Sequence, residues 1–407
     1  MRLKEGKIFL FQFFPVRRSM KVLHTSDWHI GKRLAGRERL EEQAAALEEI
    51  ENICERESVE LVLIAGDIFD TFLPPAEAED LFYRAVKKIA GENRCVVLIS
   101  GNHDDNIRLG AATALSEELG IYIFGNAGRV PKLYPGRKVC ATEAGTNHLV
   151  IRNAAGEEIF INVLPYPNEA RLKEDKNPDE SFIEKMQRWM ETGQKENVRS
   201  LPSIFLSHLF IAGGKVSEGE RQIDLGGARV VPLGALPACD YTALGHLHKR
   251  QQFKNNVIYS GSILQYSFDE AGTEKSVTVF DIDKGGVHDL RKIPLKSGKQ
   301  LVRLSANGMQ DALSLVKKYP DCYIELTMYL SEPLLTAQVR ELKEANEGIL
   351  ILFPKVQGSG ESADVLSLRQ LPASELFKTY YKSIYSEEPS DDLTELFLSL
   401  TEHADET

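Results

Sequence analysis

The segment LVLIAGDIFD, residues 61–70, joins a continuous apolar run to a Gly-Asp-x-x-Asp motif. A run that is apolar at every position and rich in Val, Leu and Ile is typical of a strand buried on both faces in a parallel sheet. Similar runs at Val22–Thr25, Val96–Ser100 and Ile121–Phe124 predict three further strands. Between the first two, apolar residues from Leu40 to Cys54 recur at helical spacing. The alternation therefore predicts βαβ units around one parallel sheet.

Polar motifs follow directly after three of these strands. Asp27 and His29 follow the first strand, Asp67 and Asp70 follow the second, and Asn102-His103-Asp104 follows the third. In open α/β sheets, ligands bind at the carboxyl ends of the parallel strands. We therefore expect these side chains, although distant in sequence, to meet at one edge of the sheet.

The rest of the sequence extends this plan to a four-layer αββα sandwich. Residues 135–165 and 200–295 contain further strand patterns, and a second sheet packed on the first is the economical arrangement for them. The charged stretch 168–200, with a helical pattern near Phe182–Met190, is interpreted as a surface excursion. From about residue 300 the order strand, helix, strand, helix, strand predicts a small, separate α+β domain.

Four segments result from these patterns. Residues 1–19 resemble a short signal peptide, but the apolar part is too short to span a bilayer and no small-x-small cleavage site follows. We expect them to be an upstream extension outside the fold, because Met20 opens the first strand directly. Residues 20–298 are predicted to form the main domain and 299–357 the small domain. Residues 358–407 are predicted to be a linker and two amphipathic helices.

Composition limits the class of protein. The net charge of -11, from 60 acidic and 49 basic residues, argues against a broadly basic nucleic-acid-binding surface, so any such contact must be local or shared with a partner. The five cysteines are odd in number and form no C-x-x-C motif, which indicates reduced thiols in a cytosolic protein. No segment looks transmembrane, and we expect a cytoplasmic protein.

The motifs together have the composition of a two-metal site. Two divalent ions about 3.5–4 Å apart can hold a phosphoester and supply hydroxide near neutral pH, and they need a carboxylate that bridges them. Asp67 is the candidate bridge. The other candidate ligands are Asp27 with His29 on one side, Asn102 with His208 on the other, and His246 and His248, each able to meet one ion.

Each motif alone also has an ordinary structural explanation. Asp27-x-His29 alone can be a chance loop, Gly66-Asp67-x-x-Asp70 can be a turn with helix-capping aspartates, and His208 can be a hydrogen-bonded core histidine. Their joint occurrence, in order and at strand ends, favours the metal site. Nitrogen and oxygen ligands without thiolate favour manganese or iron over zinc.

This ordered set resembles the calcineurin-like metallophosphoesterases, and more fully the DNA-repair nuclease subunits among them. The resemblance covers roughly residues 20–400 and includes Leu63–Thr71, Gly213–Ser217 and Tyr259–Ser262. It implies that Asp27, His29, Asp67 and His248 hold one ion, and that Asp67, Asn102, His208 and His246 hold the other.

The resemblance also implies a catalytic role for His103. This imidazole would contact the phosphate and protonate or stabilise the leaving oxygen, since a pKa of about 6.5 permits proton donation at neutral pH. Asp104 would orient it by a hydrogen bond. Some relatives carry histidine at the position of Asp70, and the role of Asp70 is left open.

By the same resemblance the chain is expected to be an Mn²⁺-dependent nuclease subunit in DNA repair, recombination and replication. It would act as an exonuclease on duplex ends and as an endonuclease on single strands and hairpins. The 299–357 domain would help to select DNA ends. The helices of 358–407 would dock on an SMC-like ATPase with a long coiled coil. The chain would form a homodimer within a heterotetramer with that partner.

Two alternatives stay open. The same chemistry would serve a phosphatase or phosphodiesterase acting on nucleotides or phosphoproteins, although residues 300–407 exceed what such an enzyme needs. The fold could also be a noncatalytic scaffold, although none of the expected ligands is missing.

Overall fold

The computed structural model describes residues 19–167, 171, 180–217 and 230–356, with the pairs 377–378, 381–382, 389–390 and 393–394. The predicted extension, except Ser19, lies outside the described residues, as do part of the 168–200 stretch and most of 358–407. The described residues divide into two compact units. One contains the residues up to Arg303 together with Asp321–Glu325, and the other contains Leu304–Pro320 together with the residues from Leu326 onward.

Thirteen strands form the two large sheets. They are β1 Met20–Thr25, β2 Leu61–Ala65, β3 Cys95–Ile99, β4 Ile121–Phe124, β5 Cys140–Gly145, β6 His148–Arg152, β7 Glu158–Leu164, β8 Ser203–His208, β9 Tyr241–Gly245, β10 Gln251–Phe253, β11 Val257–Tyr259, β12 Ser276–Asp283 and β13 Gly286–Pro294. The first sheet has the order β13-β12-β1-β2-β3-β4, and the second has the order β10-β11-β9-β8-β7-β6-β5. Strands β1 to β4 are parallel to one another, as the βαβ pattern predicts.

The helices are short or of moderate length. They are α1 Leu40–Arg56, α2 Ala76–Ala90, α3 Asn106–Gly110, α4 Thr113–Ser116, α5 Phe182–Lys195, α6 Met309–Val316 and α7 Thr336–Ala345. Among the described residues, no helix is both long and apolar enough to cross a bilayer.

Alternation along β2 shows how the layers pack. Val62 and Ile64 join a core with buried residues of α1 and α2, whereas Leu61, Leu63 and Ala65 join a second core with residues of β8 in the other sheet. Successive side chains of a strand point to opposite faces, so a strand that is apolar at every position can lie between two packed layers. The predicted four-layer αββα sandwich is confirmed.

Helix α5 is the fourth layer, and our interpretation of 168–200 as only a surface excursion is wrong for this part. Met186 and Met190 are buried in a third core with Phe205 of the second sheet. Ser181 begins the helix as its N-cap and forms a capping box with Glu184. The strong charge of the flanking sequence masks the apolar residues of this helix in the sequence pattern, so its buried face is not predicted.

A third sheet has the order β14-β15-β16, formed by Gln300–Asn307, Cys322–Leu330 and Ile349–Val356. With α6 and α7 it has the predicted order of strand, helix, strand, helix, strand. Within the smaller unit, Asn346 donates hydrogen bonds to the carbonyls of Val316 and Tyr319 at 2.8 and 2.9 Å. These bonds join the end of α7 to the end of α6.

Candidate metal centre

The seven predicted metal ligands lie together at the ends of strands from both large sheets. They are Asp27 and His29 after β1, Asp67 after β2, Asn102 after β3, His208 at the end of β8, and His246 and His248 after β9. All seven side chains are buried. Parallel strands end at a common edge, and the two packed sheets bring two such edges together.

The backbone at the ligands adopts an uncommon conformation. Asp27, His29, Asp67 and His246 have φ values of 52°, 44°, 49° and 107°. Such left-handed conformations are unfavourable for residues with a side chain and persist where the surrounding structure imposes them. Here the Asp27 and His29 amides donate to the carbonyls of Gly66 and Asp67, each at 3.0 Å. The loops after β1 and β2 are thereby joined and aim their side chains at one point.

Two glycines allow the loops to approach closely. A Cβ on Gly101 would lie 2.7 Å from the carboxyl carbon of Asp67 and closer still to its backbone. A Cβ on Gly245 would lie 2.8 Å from Nδ1 of His208. Any side chain at either position would push a ligand out of place.

The first ligand cluster contains Asp27, His29 and His248, whose ligand atoms all lie within 4.8 Å of one another. The Nε2 atoms of the two histidines are 3.0 Å apart. Nδ1 of His29 lies 3.3 Å from Oδ1 of Asp70, and Nδ1 of His248 lies 3.2 Å from Oε1 of Glu270. A carboxylate beside Nδ1 favours the tautomer with the proton there, which leaves two Nε2 lone pairs facing each other.

The second cluster is built around Asn102. Its Oδ1 lies 2.8 Å from Nε2 of His208 and 3.1 Å from Nδ1 of His246. The Nδ1 atom of His208 donates to the Ala65 carbonyl at 2.8 Å. When the ring is neutral, its Nε2 atom therefore presents a lone pair to an oxygen that also has only lone pairs to offer.

Asp67 lies between the two clusters. Its Oδ2 atom is 3.6 Å from Nε2 of His29 and 3.4 Å from Nε2 of His208. Its other oxygen, Oδ1, accepts a hydrogen bond from the backbone amide of His103 at 2.8 Å. Asp67 therefore lies within reach of both clusters, and its bridging role stays a prediction.

These ligand atoms fit divalent cations. Two nitrogens held about 2.1 Å from one cation can lie about 3 Å apart, which is the spacing of the facing Nε2 atoms. Lone pairs that face each other in a buried site repel unless a cation or a proton lies between them. The donor set, imidazole, carboxylate and amide oxygen, suits such an ion.

Burial and charge set the protonation of the ligands when no ion is bound. Burial lowers the pKa of His29 to about 3, so this ring is neutral and able to bind a metal. Burial raises the pKa of Asp27 to about 6. Burial also acts to lower the pKa of His208, but the Asp67 carboxylate outweighs it and raises the value to about 9. A metal must therefore displace a proton from His208 near neutral pH.

The predicted catalytic residues have partners different from those expected. Nδ1 of His103 lies 2.8 Å from the Asp70 carbonyl oxygen, an acceptor, so the proton is on Nδ1. The Asp104 carboxylate accepts from the amides of Ile68, Phe69 and Gly101 at 2.8 to 3.1 Å. The expected hydrogen bond from His103 to the Asp104 carboxylate is thus replaced by one from His103 Nδ1 to the Asp70 carbonyl. Asp104 instead joins the loops after β2 and β3.

Three residues near the centre are not predicted from the sequence. Gln43 on α1 donates to the His29 carbonyl and accepts from the Gly31 amide, both at 2.9 Å. Arg171 donates to the carbonyls of Gly101 and Asp104 at 2.8 and 2.7 Å, across the turn that presents Asn102 and His103. The third residue is Glu270. No local motif marks these three residues, because their partners are distant in sequence.

Comparison with known proteins shows the family of this chain. Residues 20–250 match the family model described as calcineurin-like phosphoesterase. The chain is 34% identical over 403 residues to the SbcD subunit of the nuclease SbcCD from Bacillus subtilis (strain 168), an alignment that covers 95% of this chain and 99% of that one.

A solved dimetal phosphatase from Danio rerio is 12% identical, covering 68% of this chain and 99% of that chain. Its TM-score of 0.36 is too low to indicate a shared function. The family match and the extent of the bacterial alignment lead to one conclusion: the chain belongs to the calcineurin-like phosphoesterase family, in the group that contains the SbcD nuclease subunits.

Proposed function

We propose that the protein is a DNA nuclease with two divalent metal ions, most suitably Mn²⁺. The observation that carries this proposal is the pair of ligand clusters that share Asp67: Asp27, His29 and His248 on one side, and Asn102, His208 and His246 on the other. When bound, such ions clamp a phosphodiester and lower the pKa of water to near neutral. The name of the bacterial relative supports the choice of nuclease over other phosphoesterases.

The protein groups around this centre would orient the substrate and move one proton. Asp67 would be the ligand that both ions share, and the hydrogen bond from the His103 amide to its Oδ1 atom would hold the carboxylate in place. His103 would act in its doubly protonated form: it would give the Nε2 proton to the leaving oxygen and keep the Nδ1 proton, which it donates to the Asp70 carbonyl. The hydrogen bonds of Arg171 and Asp104 to the same turn would hold His103 and Asn102 in fixed positions relative to each other.

We extend the proposal to substrate and partner. The expected substrates are duplex ends, cut exonucleolytically, and single strands or hairpins, cut endonucleolytically, in DNA repair, recombination and replication. The name of the bacterial relative designates it a subunit of the nuclease SbcCD, which supports a partner ATPase of the SbcC type. The proposed domain at 299–357 would select DNA ends, and residues 358–407 would bind the ATPase in the cytoplasm.

A homodimer within a heterotetramer is part of the proposal. Leu73, before α2, is 75% exposed, and Ile107 on α3 and Leu115 on α4 are 69% and 75% exposed. An Arg108–Glu79 ion pair of 2.6 Å joins α3, which carries Ile107, to α2. Exposed apolar groups of this kind suit contact with a second copy.

The experiment is cleavage of labelled DNA by the full chain with added Mn²⁺. The Asp67→Ala variant should lose cleavage because it removes the shared ligand, whereas Asp80→Ala removes an exposed aspartate of α2 and should cleave as the parent does. Equal cleavage by parent and Asp67→Ala would remove the proposed centre. Turnover of free nucleotides or phosphopeptides without cleavage of oligonucleotides would instead indicate a phosphatase or small-molecule phosphodiesterase.

A further inference from the structure

Glu270 is a buried carboxylate behind one metal ligand. It is fully buried, and its Oε1 atom lies 3.2 Å from Nδ1 of His248. The same oxygen lies 3.4 Å from the amide of Tyr266 and 3.2 Å from the hydroxyl of Ser267. The carboxylate is therefore held from several directions and cannot rotate away from the imidazole.

Lys275 supplies the opposite charge. Its Nζ atom contacts Oε2 of Glu270 and donates to the His248 carbonyl and the Ser262 hydroxyl, both at 2.8 Å. Lys275 is only 7% exposed. Burial acts to raise the pKa of Glu270, but Lys275 and His248 outweigh it and keep the value well below the ordinary range. The pair thus holds both the ring and the backbone of His248.

His248 and His208, one histidine from each cluster, differ in this respect. In the second cluster, Nδ1 of His208 donates to the neutral Ala65 carbonyl. In the first, Nδ1 of His248 meets an ionised carboxylate, which fixes the tautomer more firmly and makes Nε2 a better donor. The support of these two histidines is therefore unequal in charge.

We infer that Glu270, held in place by Lys275, is a positioning residue for His248 and strengthens metal binding at the Asp27, His29 and His248 position alone. This inference rests on the proposed two-metal centre and adds residues to it that do not themselves touch the ions. A role only in folding the 266–275 segment would not distinguish between the two positions.

The test measures Mn²⁺ binding to the full chain by calorimetry, with electron paramagnetic resonance to count free and bound ions. Glu270→Gln should weaken one of the two binding constants about 10-fold to 100-fold and leave the other within the error. Glu274→Gln, the same change at an exposed neighbour paired with Lys292, should leave both constants at parental values.

A double-mutant cycle assigns the effect to His248. In a His208→Ala background, which disables the second position, Glu270→Gln should keep its full effect. In a His248→Ala background it should have none, because the imidazole it acts on is gone. Removing only one of the two charges leaves the other buried and unpaired, which destabilises the fold. The Glu270→Gln, Lys275→Met double variant removes both charges and is therefore expected to fold. It should show the same weakening at one position.

Equal weakening at both positions, or parental constants in Glu270→Gln, would overturn the inference while leaving the two-metal centre intact. An effect of Glu270→Gln that persists in full without His248 would also overturn it. A parent chain that binds no Mn²⁺ would refute the proposed function itself, and with it this inference.

Discussion

Replacing Gly101 by alanine should displace the bridging carboxylate. The new Cβ would lie 2.7 Å from the carboxyl carbon of Asp67, whereas ordinary contacts begin at 3.4 Å. Because this Cβ would lie closer still to Oδ1 and to the backbone nitrogen of Asp67, the turn must move by at least roughly 0.7 Å, well beyond the tolerance of about 0.2 Å in metal–ligand distances. We expect the overlap to cost about 1–3 kcal/mol of stability. Since a misplacement of about 1 Å can cost about 100-fold in rate, cleavage should fall on that order.

The assay compares Gly101→Ala with Gly110→Ala in Mn²⁺ calorimetry, thermal denaturation and DNA cleavage. Gly110 is a matched control because a Cβ there meets no atom within 4 Å. We expect Gly110→Ala to behave as the parent does in all three measurements. Gly101→Ala with the parental affinity for Mn²⁺ would refute the reasoning, because it would show that the contact between the two loops is not needed to place Asp67.

Three further outcomes are expected. The apparent affinity for Mn²⁺ should rise from pH 6 to pH 9, because Asp67 raises the pKa of His208 to about 9 against the effect of burial and binding must release this proton. Calorimetry in buffers of different ionisation enthalpy would detect the released proton. An affinity that does not change with pH would contradict this prediction. Metal-free protein should lose the stabilising contribution of protonated His208 as pH rises through 9, because a raised folded-state pKa favours folding only while the proton is bound. Thermal denaturation at pH 7 and pH 10 measures this loss. Equal stability at the two pH values would argue against the raised pKa. Gln43→Leu removes the hydrogen-bond partner of the Gly31 amide and the His29 carbonyl and should lower the free energy of unfolding by about 1–3 kcal/mol. An unchanged melting temperature would show that water replaces the side chain.

The different support of His248 and His208 bears on how the proposed centre would be filled. If Glu270 makes the Asp27, His29 and His248 position the tighter of the two, that position would bind its ion first and the other would exchange more readily. Activity would then depend on the metal concentration over the range in which the second position fills. This links a buried ion pair on the far side of His248 to the conditions under which the enzyme works.

The predicted strands are largely found, and the failures of prediction have identifiable causes. The apolar runs at β1 to β4 are recognisable because each strand is buried on both faces. The sequence pattern predicts a surface position for helix α5 because the charged residues around it are more numerous than its two buried methionines, Met186 and Met190. The family resemblance implies that Asp104 orients His103, whereas the Asp104 carboxylate accepts from backbone amides in two loops.

The sequence by itself determined which residues end the central strands and therefore which side chains share one edge, because the period of a strand and the direction of a parallel sheet are local properties. Only the tertiary structure decided how each side chain is supported: Glu270 behind His248, Ala65 behind His208, and Gln43 behind the loop of His29. Each of these contacts joins segments that meet only when the layers pack, and no local pattern records which buried group will lie within hydrogen-bonding distance of another.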